Sequence, residues 1–148
     1  MTTINVYLTF ENRCEEAFNF YKKVFGGEFS FIGKFYEMLE KEGVELSYTP
    51  EEKNKITHIE LPISKETILM GCDACGEWAN QITPGNNFSV AIATKSKEEA
   101  FRIFNELSFQ GSIMKSFEPT IHGNYFGMLT DQFGINWMIT LNTTVTVL

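Results

Sequence analysis

The stretch Thr57-His58-Ile59-Glu60-Leu61-Pro62-Ile63 sets a histidine two residues from a carboxylate. Side chains alternate between the faces of an extended strand, so His58 and Glu60 share one face while Ile59, Leu61 and Ile63 share the other. An imidazole beside a carboxylate suits general acid–base chemistry, because the neighbouring charge tunes the proton affinity of the ring. The same pattern also fits a half-exposed strand carrying two solvated polar groups. A second set lies on Ile4–Phe10, where Asn5, Tyr7 and Thr9 alternate with Val6, Leu8 and Phe10. Tyr7, and Tyr125 in His122-Gly123-Asn124-Tyr125, each offer a phenol to orient a ligand oxygen or a ring that serves as wall. Met70, Trp137 and Met138 suit either an adaptable cavity lining or ordinary sheet packing. The candidate acid–base residues are therefore His58 and Glu60. The candidate ligand-cavity residues are Asn5, Tyr7, Met70, Tyr125, Trp137 and Met138.

Other reactive residues form no complete constellation. Cys72-Asp73-Ala74-Cys75 is a C-x-x-C, but a zinc ribbon needs a second pair and Cys14 supplies one more thiol only. Free thiols are expected for the three cysteines of a chain without an export signal. His122 falls in a loop and reads as solvated. No G-x-G-x-x-G follows a strand, and there is no Walker loop, G-x-S-x-G elbow or H-E-x-x-H.

The elements that must position these residues come as a repeat. Glu15-Glu16-Ala17-Phe18 recurs as Glu98-Glu99-Ala100-Phe101, an offset of 83. Each copy continues with the apolar spacing of an amphipathic helix, stopped by Gly26-Gly27 in the first and Gly111 in the second. Asn12 and Ser96 are the expected N-caps. At the same offset, strand patterns precede both helices, over Ile4–Phe10 and Asn87–Ala93. Three strand patterns follow each helix. They begin with Glu28–Tyr36, Ile56–Ile63 and Glu66–Cys72 in the first half. The second half offers Ser112–Thr120, Asn124–Thr130 and Ile135–Leu141. The chain thus reads as one α+β domain, residues 1–148, built of two βαβββ modules at 1–73 and 85–142 joined by a linker at 74–84. Each helix covers one face of its sheet, and the bare faces are expected to form curved mixed sheets around a concave cavity. The charged stretch Tyr36–Lys55 reads as a mobile loop or a short helix.

Composition narrows the partners. The formal net charge of −7, with lysines scattered along the chain, disfavours nucleic acid and anionic membrane surfaces. No segment approaches the ~20 apolar residues of a membrane-spanning helix. Met1–Asn12 lacks the basic region and long apolar stretch of a signal peptide, so a cytoplasmic protein is expected. Fourteen Phe residues supply ample material for a core and an aromatic wall.

Tyr7–Glu28, Thr57–Ile63 with Ile68–Ala74, and Gly127–Ile139 together resemble the vicinal oxygen chelate superfamily of glyoxalases, extradiol dioxygenases and bleomycin-resistance proteins. Within it the PhnB-like branch, labelled 3-demethylubiquinone 3-methyltransferase-like, is most similar. The resemblance implies the two-module fold, a small-molecule ligand and a homodimer. It also implies that a metal, where present, is held near Asn5, Met70, Phe88 or Ser89, and Met138. Those residues are poor ligands for a hard divalent ion, so neither metal nor cofactor is expected. The missing Gly-rich turn leaves methyl transfer without support. The expectation is a metal-independent binder of a small, partly apolar molecule. The alternatives are a lyase or isomerase working through His58 and Glu60, and a dimeric interaction module without a ligand.

Overall fold

The computed structural model describes residues 1–42 and 49–141. The chain divides into two units, Met1–Thr83 and Pro84–Leu148. In the first, β1 (Val6–Phe10), α1 (Cys14–Phe25), β2 (Phe31–Lys34), α2 (Phe35–Glu42), α3 (Pro50–Lys53), β3 (Ile56–Pro62) and β4 (Ile68–Asp73) follow one another. The second has β5 (Val90–Thr94), α4 (Lys97–Ser108), β6 (Ser112–Pro119), β7 (Tyr125–Thr130) and β8 (Asn136–Leu141). Each unit forms a four-stranded mixed sheet, ordered β1-β4-β3-β2 and β5-β8-β7-β6. In both, the first strand pairs in parallel with the last and the other pairings are antiparallel. The duplicated sequence therefore gives a duplicated topology.

Glycine decides how closely α1 lies on its sheet. A Cβ on Gly71 of β4 would stand 2.6 Å from the Leu8 carbonyl oxygen and 2.7 Å from the Phe18 ring of α1. That places Gly71, with its cross-strand partners Leu8 and Ile59, on the helix side of the first sheet. Ala17, Phe18 and Tyr21 of α1 are fully buried there. In the second unit Gly127 of β7 leaves equivalent room for the Phe104 ring of α4. Its partner Ile139, together with Trp137 and Leu141, is buried beneath that helix.

Two buried carboxylates tie helix, strand and turn together. Asp73 accepts the Cys14 backbone N–H on Oδ1 and the Ile56 N–H on Oδ2, both at 2.9 Å. Asp131 accepts the N–H groups of Phe133 and Ile135 on Oδ1 and the Trp137 indole N–H on Oδ2. These bonds satisfy backbone donors that burial would otherwise leave costly.

Several expectations need correction. Asn12 is not the cap of α1; it sits at φ +65°, Arg13 takes the cap position, and the Asp73 side chain from β4 serves the first exposed N–H. Ser96 does cap α4, its hydroxyl accepting the Glu99 N–H at 3.2 Å. The strand expected over Glu28–Tyr36 ends at Lys34, where pairing with β3 slips after Gly33 and the buried Phe35 opens α2. Of the Tyr36–Lys55 stretch, α2 and α3 are helical, and Thr49 and Glu52 start α3 with a reciprocal capping box. Residues 43–48 lie outside the described residues. Ile63 falls beyond β3 and is exposed instead of sharing the buried face of Ile59 and Leu61.

Candidate functional site

The helix side of the first sheet is filled, so its chemistry lies on the open face. Tyr7 of β1, Met70 of β4, Glu60 of β3 and Phe31 of β2 occupy successive cross-strand positions and form one row across all four strands. Thr9 and Cys72 face each other in the next row, and His58 stands opposite Gly33. Cross-strand side chains in such a row are direct neighbours.

A chain of hydrogen bonds runs along this face. The Tyr7 hydroxyl oxygen lies 3.1 Å from His58 Nδ1, and the two rings stack at 5.6 Å between centroids. His58 Nε2 lies 3.0 Å from Glu60 Oε1. The Ser30 hydroxyl donates to Glu60 Oε2 at 3.0 Å. The Phe31 ring also lies against the imidazole, 5.7 Å between centroids and tilted by 44°. Two proton placements satisfy the chain. In one, Tyr7 donates to Nδ1 of a neutral ring whose Nε2–H donates to Glu60; in the other, an imidazolium donates to both oxygens.

The electrostatics follow from those bonds. The His58 and Ser30 hydrogen bonds hold the Glu60 carboxyl below the usual carboxylate range. Burial, followed by hydrogen bonding to the Cys72 thiol, pushes the Tyr7 phenol well above its ordinary value. Tyr7 therefore acts as a protonated phenol on this face. At the neighbouring row the Cys72 thiol also makes a long contact, 4.0 Å, to Thr9 Oγ1.

The structure sorts the sequence candidates unevenly. His58, Glu60, Tyr7 and Met70 come together on one face. Asn5 precedes β1 and spends its Oδ1 on the Ile68 N–H at 3.3 Å. Met138 lies on the open face of the second sheet, between Ala91 and Met128. Trp137 does not join it there: it is buried under α4 with its indole bonded to Asp131. Tyr125 is likewise on the α4 side, packed against Phe101 and Phe117 with the Lys97 ammonium 4.8 Å above its ring. His122 sits exposed in a turn, as expected. Phe31 and Ser30 are site residues that the sequence reading did not single out, and Cys72 was weighed only as half of a C-x-x-C. Cys72, two positions after Met70 on one strand, was recoverable from alternation alone.

The positions that would hold a superfamily metal do not suit one. Met70 and Met138 offer thioethers, the Asn5 oxygen is already engaged, and Phe88 and Ser89 precede β5. Among the described residues, no three His, Cys, Asp or Glu side chains gather as a metal site. A hard divalent ion requires oxygen or imidazole donors. No helix among the described residues is long and apolar enough to cross a membrane.

Comparison with known proteins gives one consistent answer. A family model described as 3-demethylubiquinone-9 3-methyltransferase matches residues 2–140. Protein YjdN of Escherichia coli K12 is 26% identical over 140 residues, covering 92% of each chain. Protein PA1353 of Pseudomonas aeruginosa has a solved structure that superposes with TM-score 0.75 at 30% identity, over 96% of this chain and 98% of its own. A PhnB protein from Bacillus cereus follows with TM-score 0.72 at 24% identity, over 95% of this chain and 100% of its own. The fosfomycin resistance protein FosX of Listeria monocytogenes, solved with Mn(II) and sulfate, shares the fold at TM-score 0.61 and 8% identity, over 97% and 93% of the two chains. With the family match spanning nearly the whole chain, the chain belongs to the 3-demethylubiquinone-9 3-methyltransferase family, and it shares its α+β fold with these neighbours.

Proposed function

We propose that the open face of the first sheet binds a small, partly apolar molecule without a divalent metal. The observation that carries this reading is the Tyr7–His58–Glu60 chain set between the half-exposed Phe31 ring and Met70. Ligand sites commonly combine apolar contact area with a few converging polar groups, and this face has both. The Phe31 ring and the adaptable Met70 thioether take the apolar body, while the polar chain fixes its orientation. Methyl transfer is not part of the reading, because the chain has no Gly-rich turn after a strand to receive a methyl-donor cofactor.

The test is a thermal-shift screen of small molecules beside metal analysis of the purified protein. Ligands raise the melting temperature by linkage, and the rise shrinks in His58→Ala and Glu60→Ala. Near-stoichiometric Zn, Ni, Mn or Fe retained through purification overturns the metal-free reading. The protein is taken as a cytoplasmic homodimer, and a light-scattering mass near 16.9 kDa overturns the dimer.

A second reading, a lyase or isomerase, is favoured by one detail: both ring nitrogens of His58 are bonded. A proton leaving a ligand passes to the Tyr7 oxygen as the phenol's own proton passes to Nδ1. The resulting imidazolium is stabilised by the Glu60 carboxylate, and return of the proton to another ligand atom completes an isomerisation. Turnover left intact by both His58→Ala and Glu60→Ala sinks this reading.

A further inference from the structure

The class of ligand follows from what the open face offers, an inference that rests on the binding reading above. The titratable side chains on this face are Tyr7 on β1, Cys72 on β4, and His58 and Glu60 on β3. Phe31 and Gly33 are the contributions of β2. Lys34, at the end of β2, reaches away to Glu15 of α1 at 3.6 Å. The fixed charge of the face is thus the Glu60 carboxylate: among the described residues of these strands the one lysine, Lys34, is engaged with Glu15, and there is no arginine.

Glu60 also has capacity to spare. Each of its oxygens accepts one hydrogen bond, Oε1 from His58 and Oε2 from Ser30. A carboxylate accepts about four, so roughly two acceptor positions remain on a side chain that is 30% exposed. Its cross-strand neighbour Phe31 is 50% exposed, and Tyr7, at the far end of the same row, is 48% exposed. An ionised carboxylate next to accessible ring faces attracts a cation twice over, through its charge and through the ring quadrupoles. An anion there would be repelled by the Glu60 carboxylate. We infer that this face selects small organic cations, an amine or amidine on an apolar body, over neutral and anionic molecules of the same shape.

Three probes of one shape test it: benzylamine, benzyl alcohol and benzoate, each titrated into the 15N-labelled full chain at about pH 8, where the amine carries its positive charge and benzoate its negative one. The cation is expected to move amide signals around Tyr7, Phe31, His58 and Met70. It should bind roughly tenfold more tightly than the alcohol, with benzoate weakest. Glu60→Gln is expected to bring benzylamine down to the level of the alcohol, whereas Phe31→Leu weakens both. The three-probe ranking on the unaltered chain stands even where a variant fails to fold. Alcohol or benzoate binding at this face as tightly as the amine overturns the cation inference and leaves the binding reading intact. Failure of all three to move these signals overturns both.

Discussion

Tyr7 and His58 are 51 residues apart in the chain, yet the phenol oxygen lies 3.1 Å from Nδ1 and the two rings stack within 20° of parallel. This contact converts a His–Glu pair into a chain of three groups whose outermost member is a phenol. Tyr7→Phe keeps the ring stack and removes the partner of Nδ1. The expected stability loss is small, about 1 kcal/mol. The imidazole 15N signals of His58 should move, and unchanged signals would show that the bond does not persist in solution.

Glu60 should leave a mark on acid stability. Its carboxyl is depressed first by the bond with His58 and then by that from Ser30. A depressed folded value means that the folded chain takes up this proton at lower pH than the unfolded chain. The stabilisation is therefore present above the unfolded glutamate value of about 4.3 and lost as pH falls through the lower folded value. Glu60→Gln should flatten that segment of the acid-unfolding curve, and superimposable curves for the two proteins would refute the prediction.

Gly71 is irreplaceable for steric reasons. An added Cβ meets the Leu8 carbonyl oxygen at 2.6 Å, and a paired backbone cannot step aside as a flexible side chain can. Gly71→Ala should cost roughly 1–3 kcal/mol, the range for overpacking, read as a lower urea midpoint at unchanged slope.

Asp73 is expected to matter more than any exposed ion pair of the first unit. It is 5% exposed and accepts two buried backbone N–H groups. Asp73→Ala orphans both and should cost roughly 2–5 kcal/mol, while Asp73→Asn keeps one acceptor and costs less. Equal denaturation midpoints for the two variants would contradict this account.

The three thiols should differ in reactivity. Cys14 is fully buried, and burial, aided by the nearby Asp73 charge, pushes its thiol far above the normal range. Cys72 and Cys75 are partly exposed. Iodoacetamide should modify Cys72 and Cys75 in the native chain and Cys14 only after unfolding, as mass spectrometry of the digested protein would show.

The repeat, its two long helices α1 and α4, and most of the strands among the described residues were legible because periods of 3.6 and 2 are local properties of a chain. The same local rule already separates Trp137 from Met138: neighbours on a strand face opposite ways, and Trp137 keeps company with Ile139 and Leu141. Placing both in one cavity overrode the alternation. Tyr125 failed differently. Its face depends on which parity of β7 lies under α4, and the close approach of Gly127 to Phe104 sets that parity.

The sequence by itself determined the duplicated unit, the face shared by His58 with Glu60, and the residue types at the family's metal positions. Only the tertiary structure decided that Tyr7 bonds His58, that Phe31 stands beside Glu60, and that Asp73 caps a helix 59 residues away. Alternation fixes which way a side chain points. Its neighbours depend on strand order and register, here β1-β4-β3-β2, which are set by packing between segments far apart in the chain.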